Sequence, residues 1–329
     1  NYSLLSQRMQ QRLEETMNKG EQAMILLNKR GYASFIKCES CGKPIRCPHC
    51  DVTLTYHKAE NRLKCHLCEY FTSVPQVCPE CGSTHLKKIG YGTQKIEEEL
   101  EKKYPDARII RFDFDTTRNK NTHLKLLKDF EEHKADIMLG TQMIAKGLDF
   151  SNVTFVGVLM ADLSLMVPDF RASERTFQLL CQVAGRSGRG DKQGTVMIQT
   201  FNPEHYAIKA AVKQDYEAFF KEEMLFRKKA KYPPFCHLVS VIVQSRTPKN
   251  VHLTALDISK CLKEHLEKVR IIGPQPAFKM QDIYRERILI KYIESKPIYE
   301  QLSLIDDYYN RTRKGGVIVA CDFNPYSTY

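Results

Sequence analysis

The chain has 329 residues, 42% hydrophobic and 27% charged, which excludes a disordered polymer and suits two or three globular domains. Lysine and arginine number 50 against 39 acids, and the net charge of +11 permits a nucleic-acid partner without requiring one. No stretch approaches the ~18 consecutive apolar residues of a membrane span, and none near the amino end has the form of a signal peptide.

Leu5, Met9, Leu13 and Met17 recur at helical spacing and predict a helix over 3–19, stopped by Gly20. Ala23–Leu27 is a short apolar run that reads as a buried strand, closed by Asn28 and Gly31. A cysteine block follows, with short, polar, turn-rich connections. Beyond it strands and helices alternate. Thr93 is placed to cap a helix bearing Ile96, Leu100 and Tyr104, which Pro105 follows. Arg108–Phe112 predicts a strand, Leu124, Leu127 and Phe130 a helix, and Ile137–Leu139 and Val153–Met160 two apolar strands. Ala172–Ala184 predicts a helix and Thr195–Gln199 a strand. Strands separated by helices of this length mean βαβ units and a mainly parallel sheet. One long helix is expected over about 204–230, ended by Tyr232-Pro233-Pro234. The order then changes: a strand at Leu238–Gln244, a helix at about 249–268, strands near 271–280 and 286–293, a helix at about 297–312 and a strand at Val317–Cys321. That βαββαβ order is the ferredoxin-like split unit. Residues 216–329 hold 19 basic and 13 acidic side chains, so this last third carries the largest share of the charge surplus.

Eight of the 12 cysteines form four C-x-x-C pairs, Cys38/Cys41, Cys47/Cys50, Cys65/Cys68 and Cys78/Cys81. Each such knuckle presents two thiolates to one ion, and two knuckles complete a tetrahedral structural zinc site. Three pairings of the knuckles are possible. Fourteen residues separate the inner pairs, enough for a hairpin to return the chain as in a zinc ribbon. The outer pairs would then share a second ion in a nested arrangement. Sequential pairing is the alternative, and it requires the five-residue link after Cys41 to close a site alone. An iron–sulfur cluster suits the spacing less well, and a catalytic zinc needs an open coordination position that eight cysteines would fill. His49, His57, His66 and His85 read as bystanders, and Cys181, Cys236, Cys261 and Cys321 as buried apolar residues. Residues 38–81 carry five basic and five acidic side chains, and each zinc with four thiolates is formally −2, so the module is a poor phosphate clamp and reads as structural or protein-binding.

Two further segments carry chemistry. Leu139-Gly140-Thr141-Gln142-Met143-Ile144-Ala145-Lys146-Gly147-Leu148-Asp149-Phe150 directly follows a strand, where parallel sheets meet ligands. Gln182-Val183-Ala184-Gly185-Arg186-Ser187-Gly188-Arg189-Gly190 ends a helix, and two arginines three apart can turn planar forks toward one anionic centre. Taken alone, the second segment is explained equally well by a flexible basic loop.

With Leu27-Asn28-Lys29-Arg30-Gly31-Tyr32, the eight cysteines, Gly92-Thr93, Pro168-Asp169-Phe170-Arg171, Glu174-Arg175-Thr176-Phe177 and Tyr232-Pro233-Pro234-Phe235, these segments make the whole chain resemble the PriA family of primosomal replication-restart helicases, in superfamily 2. Residues 140–147 resemble helicase motif V and 182–189 motif VI, with Ser187 where alanine is more usual. The resemblance implies an α/β fold. A RecA-like parallel-sheet lobe carries an inserted two-zinc ribbon and is followed by the α+β ferredoxin-like domain. Residues 1–37 would begin the second helicase lobe, 38–81 form the zinc module, 82–230 complete the lobe, and 231–329 form a DNA-binding domain. Arg186 and Arg189 would act as arginine fingers beside Gln182. Gly147, Asp149 and Gly185 would approach nucleotide, and Thr141 and Gln142 the DNA strand. The family's nested zinc sites imply Cys38, Cys41, Cys78 and Cys81 for one ion and Cys47, Cys50, Cys65 and Cys68 for the other.

The implied activity is ATP-dependent 3′–5′ unwinding that recognises stalled or branched forks and initiates primosome assembly, with ATP and Mg²⁺ as cofactors beside the two zinc ions. The implied partners are forked and single-stranded DNA, single-stranded-DNA-binding protein, and primosome and helicase-loading proteins. No membrane is implied, and the expected setting is the bacterial cytoplasm, at the nucleoid. The chain has no G-x-x-x-x-G-K-[ST] loop and begins at Asn1, so it reads as the C-terminal half of the enzyme and is expected not to hydrolyse ATP alone. The alternative is a non-enzymatic zinc-ribbon nucleic-acid-binding or scaffolding protein. That reading leaves the two ordered motifs unexplained.

Overall fold

The computed structural model describes residues 3–27, 35–49, 53–57, 61–65, 68, 70–89, 93–113, 120–141, 144, 150–167, 169–185, 193–311 and 316–327. The elements follow in chain order: α1 (Gln7–Asn18), β1 (Gln22–Leu27), β2 (Phe35–Cys38), β3 (Thr55–His57), β4 (Arg62–Lys64), β5 (Phe71–Ser73), β6 (Leu86–Ile89), α2 (Thr93–Lys103), β7 (Ile109–Phe112), α3 (Lys120–Glu131), β8 (Ile137–Gly140), β9 (Val153–Leu159), α4 (Ala172–Ala184), β10 (Thr195–Ile198), α5 (Tyr206–Lys213), α6 (Tyr216–Ala230), β11 (His237–Ser245), α7 (Pro248–His265), β12 (Arg270–Met280), β13 (Ile283–Tyr292), α8 (Ser295–Asp306) and β14 (Ile318–Phe323). Packing groups them into two compact units.

The first unit comprises residues 1–34, 90–167 and 171–223. Among its described residues, five strands form one sheet in the order β10-β9-β1-β8-β7, every neighbour parallel. All six residues of β1 and all seven of β9 are buried, as strands covered on both faces must be. Alternation then sorts their side chains. Ala23, Ile25 and Leu27 face Met9 and Leu13 of α1 and Ile96 and Leu100 of α2. Met24 and Leu26 join Phe130 of α3 and Phe177, Leu180 and Val183 of α4 on the opposite face. The result is a three-layer α/β lobe whose strands all end at one edge.

The second unit comprises residues 35–89, 168–170 and 224–329. In the cysteine segment β2 pairs with β6, and β3-β4-β5 form a small antiparallel sheet. The last domain is an antiparallel sheet, β12-β13-β11-β14, with the βαββαβ order. Val239, Val241 and Val243 of β11 and Ile288 and Ile290 of β13 share a core with Val251, Ile258 and Leu262 of α7 and Ile298 and Leu302 of α8.

The structure corrects four sequence expectations. The single helix over 204–230 is two, because Gln214 turns left-handed (φ 53°) and Asp215 Oδ1 then accepts the Ala218 N–H at 2.9 Å to start α6. Thr93 does not cap: its hydroxyl donates to Asp113 Oδ2 at 2.6 Å. Helix α8 stops at Asp306 and continues as a π turn to Arg311. Of the four unpaired cysteines only Cys236 is buried, Cys181, Cys261 and Cys321 being half-buried.

Candidate functional site

The outer cysteine pairs sit in two copies of one turn. Cys38 ends β2; its N–H donates to Lys43 O at 2.9 Å, and the Gly42 N–H returns to Cys38 O at 3.0 Å. Cys78 and Ser83 O, and Gly82 and Cys78 O, repeat this at 2.8 Å each. Gly42 and Gly82 adopt φ +73° and +72°, the left-handed conformation that lets each knuckle close. The Glu39 N–H donates to His85 O at 2.9 Å, and the Ser40 and Ser83 hydroxyls lie 2.8 Å apart, so each turn braces the other. The four sulfurs of Cys38, Cys41, Cys78 and Cys81 all lie within 4.8 Å of one another, with Cys38–Cys81 at 3.6 Å and Cys41–Cys78 at 3.7 Å.

Those separations fit a metal. Metal–sulfur bonds of about 2.3 Å in a tetrahedron give sulfur–sulfur edges of about 3.8 Å, whereas a disulfide needs about 2.05 Å. The backbone N–H of Cys41 is the largest influence holding the Cys38 thiol down to about 6, so this sulfur readily becomes the thiolate a zinc ion takes. Lys43–Glu80 (2.7 Å) and Lys87–Glu39 (2.8 Å) flank the cluster as exposed ion pairs.

The inner pairs form the second cluster. Cys47, Cys65 and Cys68 bring their sulfurs within 4.8 Å, with Cys47–Cys68 at 3.6 Å; Cys50 lies outside the described residues. Cys47 and Cys65 are buried beside Ile36, Leu54, Tyr56 and Leu63. The chain thus gathers its knuckles in nested fashion, outer with outer and inner with inner. Among the described residues no histidine joins either cluster. His49 instead faces Asp282 at 2.7 Å, and the His85 ring lies 3.2 Å from the Ser83 hydroxyl.

In the parallel-sheet unit, Gly140 ends β8, pairs with both Leu26 and Phe112, and delivers half-buried Thr141 to the carboxyl edge of the sheet. A side chain at 140 would meet the Phe112 carbonyl oxygen at 2.4 Å, so glycine is the residue that lets β7 and β8 close here. Beside it, Arg111 bridges Glu97 at 2.8 Å and Asp113 at 2.9 Å, a charged network the sequence had not flagged. Gln182 is exposed in the last turn of α4, which Gly185 caps with its N–H on Cys181 O at 3.2 Å. Gln142, Gly147, Asp149, Arg186 and Arg189 lie outside the described residues. Asp162 was also missed. It is buried, and it accepts hydrogen bonds from the Thr200 hydroxyl (2.6 Å) and the N–H groups of Phe201 (2.9 Å) and Asn202 (3.0 Å).

Three family profiles match the chain: the PriA DNA helicase Cys-rich region at 47–71, the helicase conserved C-terminal domain at 85–191, and the primosomal protein N C-terminal domain at 228–326. The replication restart protein PriA of Bacillus subtilis is 48% identical over 330 residues, covering 99% of this chain and 41% of that protein. This chain belongs to the PriA family. The Chlamydia pneumoniae PriA is 43% identical over 304 residues, covering 91% of this chain and 41% of that protein. The chain therefore spans about two fifths of the length of these relatives. Among solved structures, the Pyrococcus furiosus Hef helicase domain aligns at 13% identity and a TM-score of 0.30, covering 63% of this chain and 27% of that one. The PriA Cys-rich profile begins at Cys47 and takes in the inner cysteine pairs, and the helicase profile takes in Gly140, Thr141, Gln182 and Gly185. Among the described residues no helix is long and apolar enough to cross a membrane.

Proposed function

We propose that this chain supplies the second motor lobe, zinc module and DNA-binding domain of an ATP-dependent 3′–5′ DNA helicase that acts at stalled or branched replication forks and initiates primosome assembly. The observation that carries this reading is one parallel sheet that ends β8 in Gly140-Thr141 and bears α4 ending in Gln182–Gly185, interrupted after β1 by an eight-cysteine insertion. Three segments divide the work on this reading: residues 1–37 with 82–230 as the lobe, 38–81 as the zinc module and 231–329 as the DNA-binding domain.

Within the lobe, Arg186 and Arg189 reach the γ-phosphoryl group of an ATP held by the first lobe and spread the charge that develops on it, with Gln182 beside them. Gly147, Asp149 and Gly185 line the nucleotide, and Thr141 and Gln142 face the DNA strand. ATP and Mg²⁺ belong to the complete protein, whose phosphate loop this chain lacks. Cys38, Cys41, Cys78 and Cys81 would hold one zinc ion and Cys47, Cys50, Cys65 and Cys68 the second, each a structural cross-link with every coordination position filled by sulfur. The partners of this reading are forked and single-stranded DNA, single-stranded-DNA-binding protein and helicase-loading proteins, at the nucleoid.

The test joins this chain to the first lobe in the full-length protein and measures ATP hydrolysis with and without forked DNA. Fork-stimulated turnover is expected, with none above background from this chain alone. Arg189→Ala is expected to abolish turnover and leave two zinc ions per chain. Near-normal turnover by Arg189→Ala would remove the finger assignment. A full-length protein without fork-stimulated turnover would leave the zinc-ribbon scaffold reading in its place.

A further inference from the structure

Strands β12 and β13 are joined by two residues, Gln281 and Asp282, with Met280 paired to Ile283 across the turn. Both take left-handed backbone, φ 52° and 58°, as a tight two-residue hairpin turn requires. The turn meets the cysteine segment of the same compact unit. The Asp282 N–H donates to His49 O at 3.0 Å, and the Lys279 ammonium to Pro48 O at 2.8 Å. Asp282 Oδ2 also lies 2.7 Å from His49 Nδ1. Met280 packs against the apolar cluster that contains Cys47 and Cys65.

Pro48 and His49 directly follow Cys47, so both accepting carbonyls belong to its knuckle. The contact continues to the partner knuckle. The His49 ring stands edge-on to Tyr70, centroids 5.3 Å apart, and Tyr70 O accepts the Cys65 N–H at 2.8 Å. The Lys279 side chain is only 13% exposed, and a buried ammonium needs acceptors around it. Pro48 O and Asp282, whose Oδ1 lies 3.6 Å away, supply them. A cavity of about 440 Å³ opens beside Cys68, with His49, Tyr70 and Phe71 on one side and Gln281 and Asp282 on the other. The turn is one wall of the approach to that sulfur. The outer cluster is braced differently, each of its turns by the other, through Glu39 with His85 and Ser40 with Ser83.

We propose that Lys279 and Asp282 are positioning residues for the inner zinc ion: the β12–β13 turn clamps the Cys47 knuckle in its metal-binding conformation, and bound metal in return holds the turn. This inference rests on the assignment of zinc to the inner cysteines. Groups that orient metal ligands from outside the ligand set carry about 10–100-fold of metal affinity. The coupling is reciprocal, so a turn that favours the loaded knuckle is itself favoured by loading, to the same factor.

The experiment follows zinc release from the full-length protein into an excess of a chromogenic chelator. Two parent forms keep one cluster each: Cys38→Ser with Cys78→Ser keeps the inner, and Cys47→Ser with Cys65→Ser the outer. To each is added Lys279→Met, which keeps the stem, with Asp282→Gly, which keeps the left-handed turn. Release is expected to quicken about tenfold or more from the inner cluster and to stay within about threefold from the outer. Inner release within about threefold of its parent would overturn the proposal. So would equal quickening in both forms, which would show a general loosening of the chain. The reciprocal arm is amide hydrogen exchange at Asp282. It is expected to run about tenfold or more faster in the form that lacks the inner cluster than in wild type, and an unchanged rate would also overturn the proposal. A wild-type protein with no zinc at the inner cysteines would defeat the zinc assignment and the proposal with it, and is distinguishable because it shows before any turn variant is made.

Discussion

The sulfurs of Cys38 and Cys81 lie 3.6 Å apart across 43 residues of chain, and the whole inner cluster lies within the loop they close. Paired serine substitutions read this nesting directly. Cys38→Ser with Cys78→Ser should leave one zinc ion per chain, because both changes fall on the outer cluster. Cys38→Ser with Cys47→Ser should leave none, because each disables a different cluster. Sequential pairing reverses the two results, so metal content after extensive dialysis decides between them.

Gly140→Ala should destabilise the protein by about 1–3 kcal/mol, because the added methyl meets backbone, which cannot rotate away. The clash is with the Phe112 carbonyl of the neighbouring strand, so the edge that presents Thr141 must open. Urea unfolding measures the loss. A midpoint unchanged from wild type would mean that β7 and β8 are looser here than their register implies.

Asp162 gives a pH-dependent prediction. Burial pushes its carboxyl upward, but the Thr200 hydroxyl and the N–H groups of Phe201 and Asn202 outweigh burial and hold it below the ordinary aspartate value. A folded value below the unfolded one, about 3.9, means that the stabilisation is complete above that value and fades as pH falls through the folded one. Asp162→Asn should therefore cost about 1–3 kcal/mol near pH 7 and progressively less below about pH 4. Equal gaps at pH 7 and pH 3 would show that charge plays no part in holding this turn.

Gln22 opens β1 and is buried, with its amide donating to the carbonyls of Phe130 (2.7 Å) and Ala135 (2.8 Å). Gln22→Leu keeps the volume but removes the donor to both carbonyls; Phe130 O keeps the His133 N–H at 3.1 Å, and losing the bond to Ala135 O should cost about 1–3 kcal/mol. Thermal unfolding of this single variant is the check. A loss below about 0.5 kcal/mol would mean that water reaches the Ala135 carbonyl.

Much of the fold was legible because its signals are local. Ala23–Leu27 reads as a strand because both faces of β1 are covered, and the βαββαβ order survives in the last domain because each element is long and periodic. The break at Gln214 escaped periodicity because apolar spacing continues from Ala211 through to Phe219; Asp215, a sound capping residue, was the signal overlooked. Thr93 was misread because its partner, Asp113, lies on another strand end. The cysteine clusters were legible for the opposite reason: a C-x-x-C pair declares its chemistry within four residues, and only the partner knuckle is a matter of folding. The docking of the β12–β13 turn on the Cys47 knuckle had no such signal, since neither Lys279 nor Asp282 announces what it will face.

The pairing of β2 with β6 gives the cysteine segment a closed base of its own: Phe35 lies opposite Ile89, so the segment begins and ends on neighbouring backbones. Among the described residues, neither sheet of the segment shares a strand with the five-stranded parallel sheet. The segment is a cassette, tied off by its own strand pair where it begins and ends.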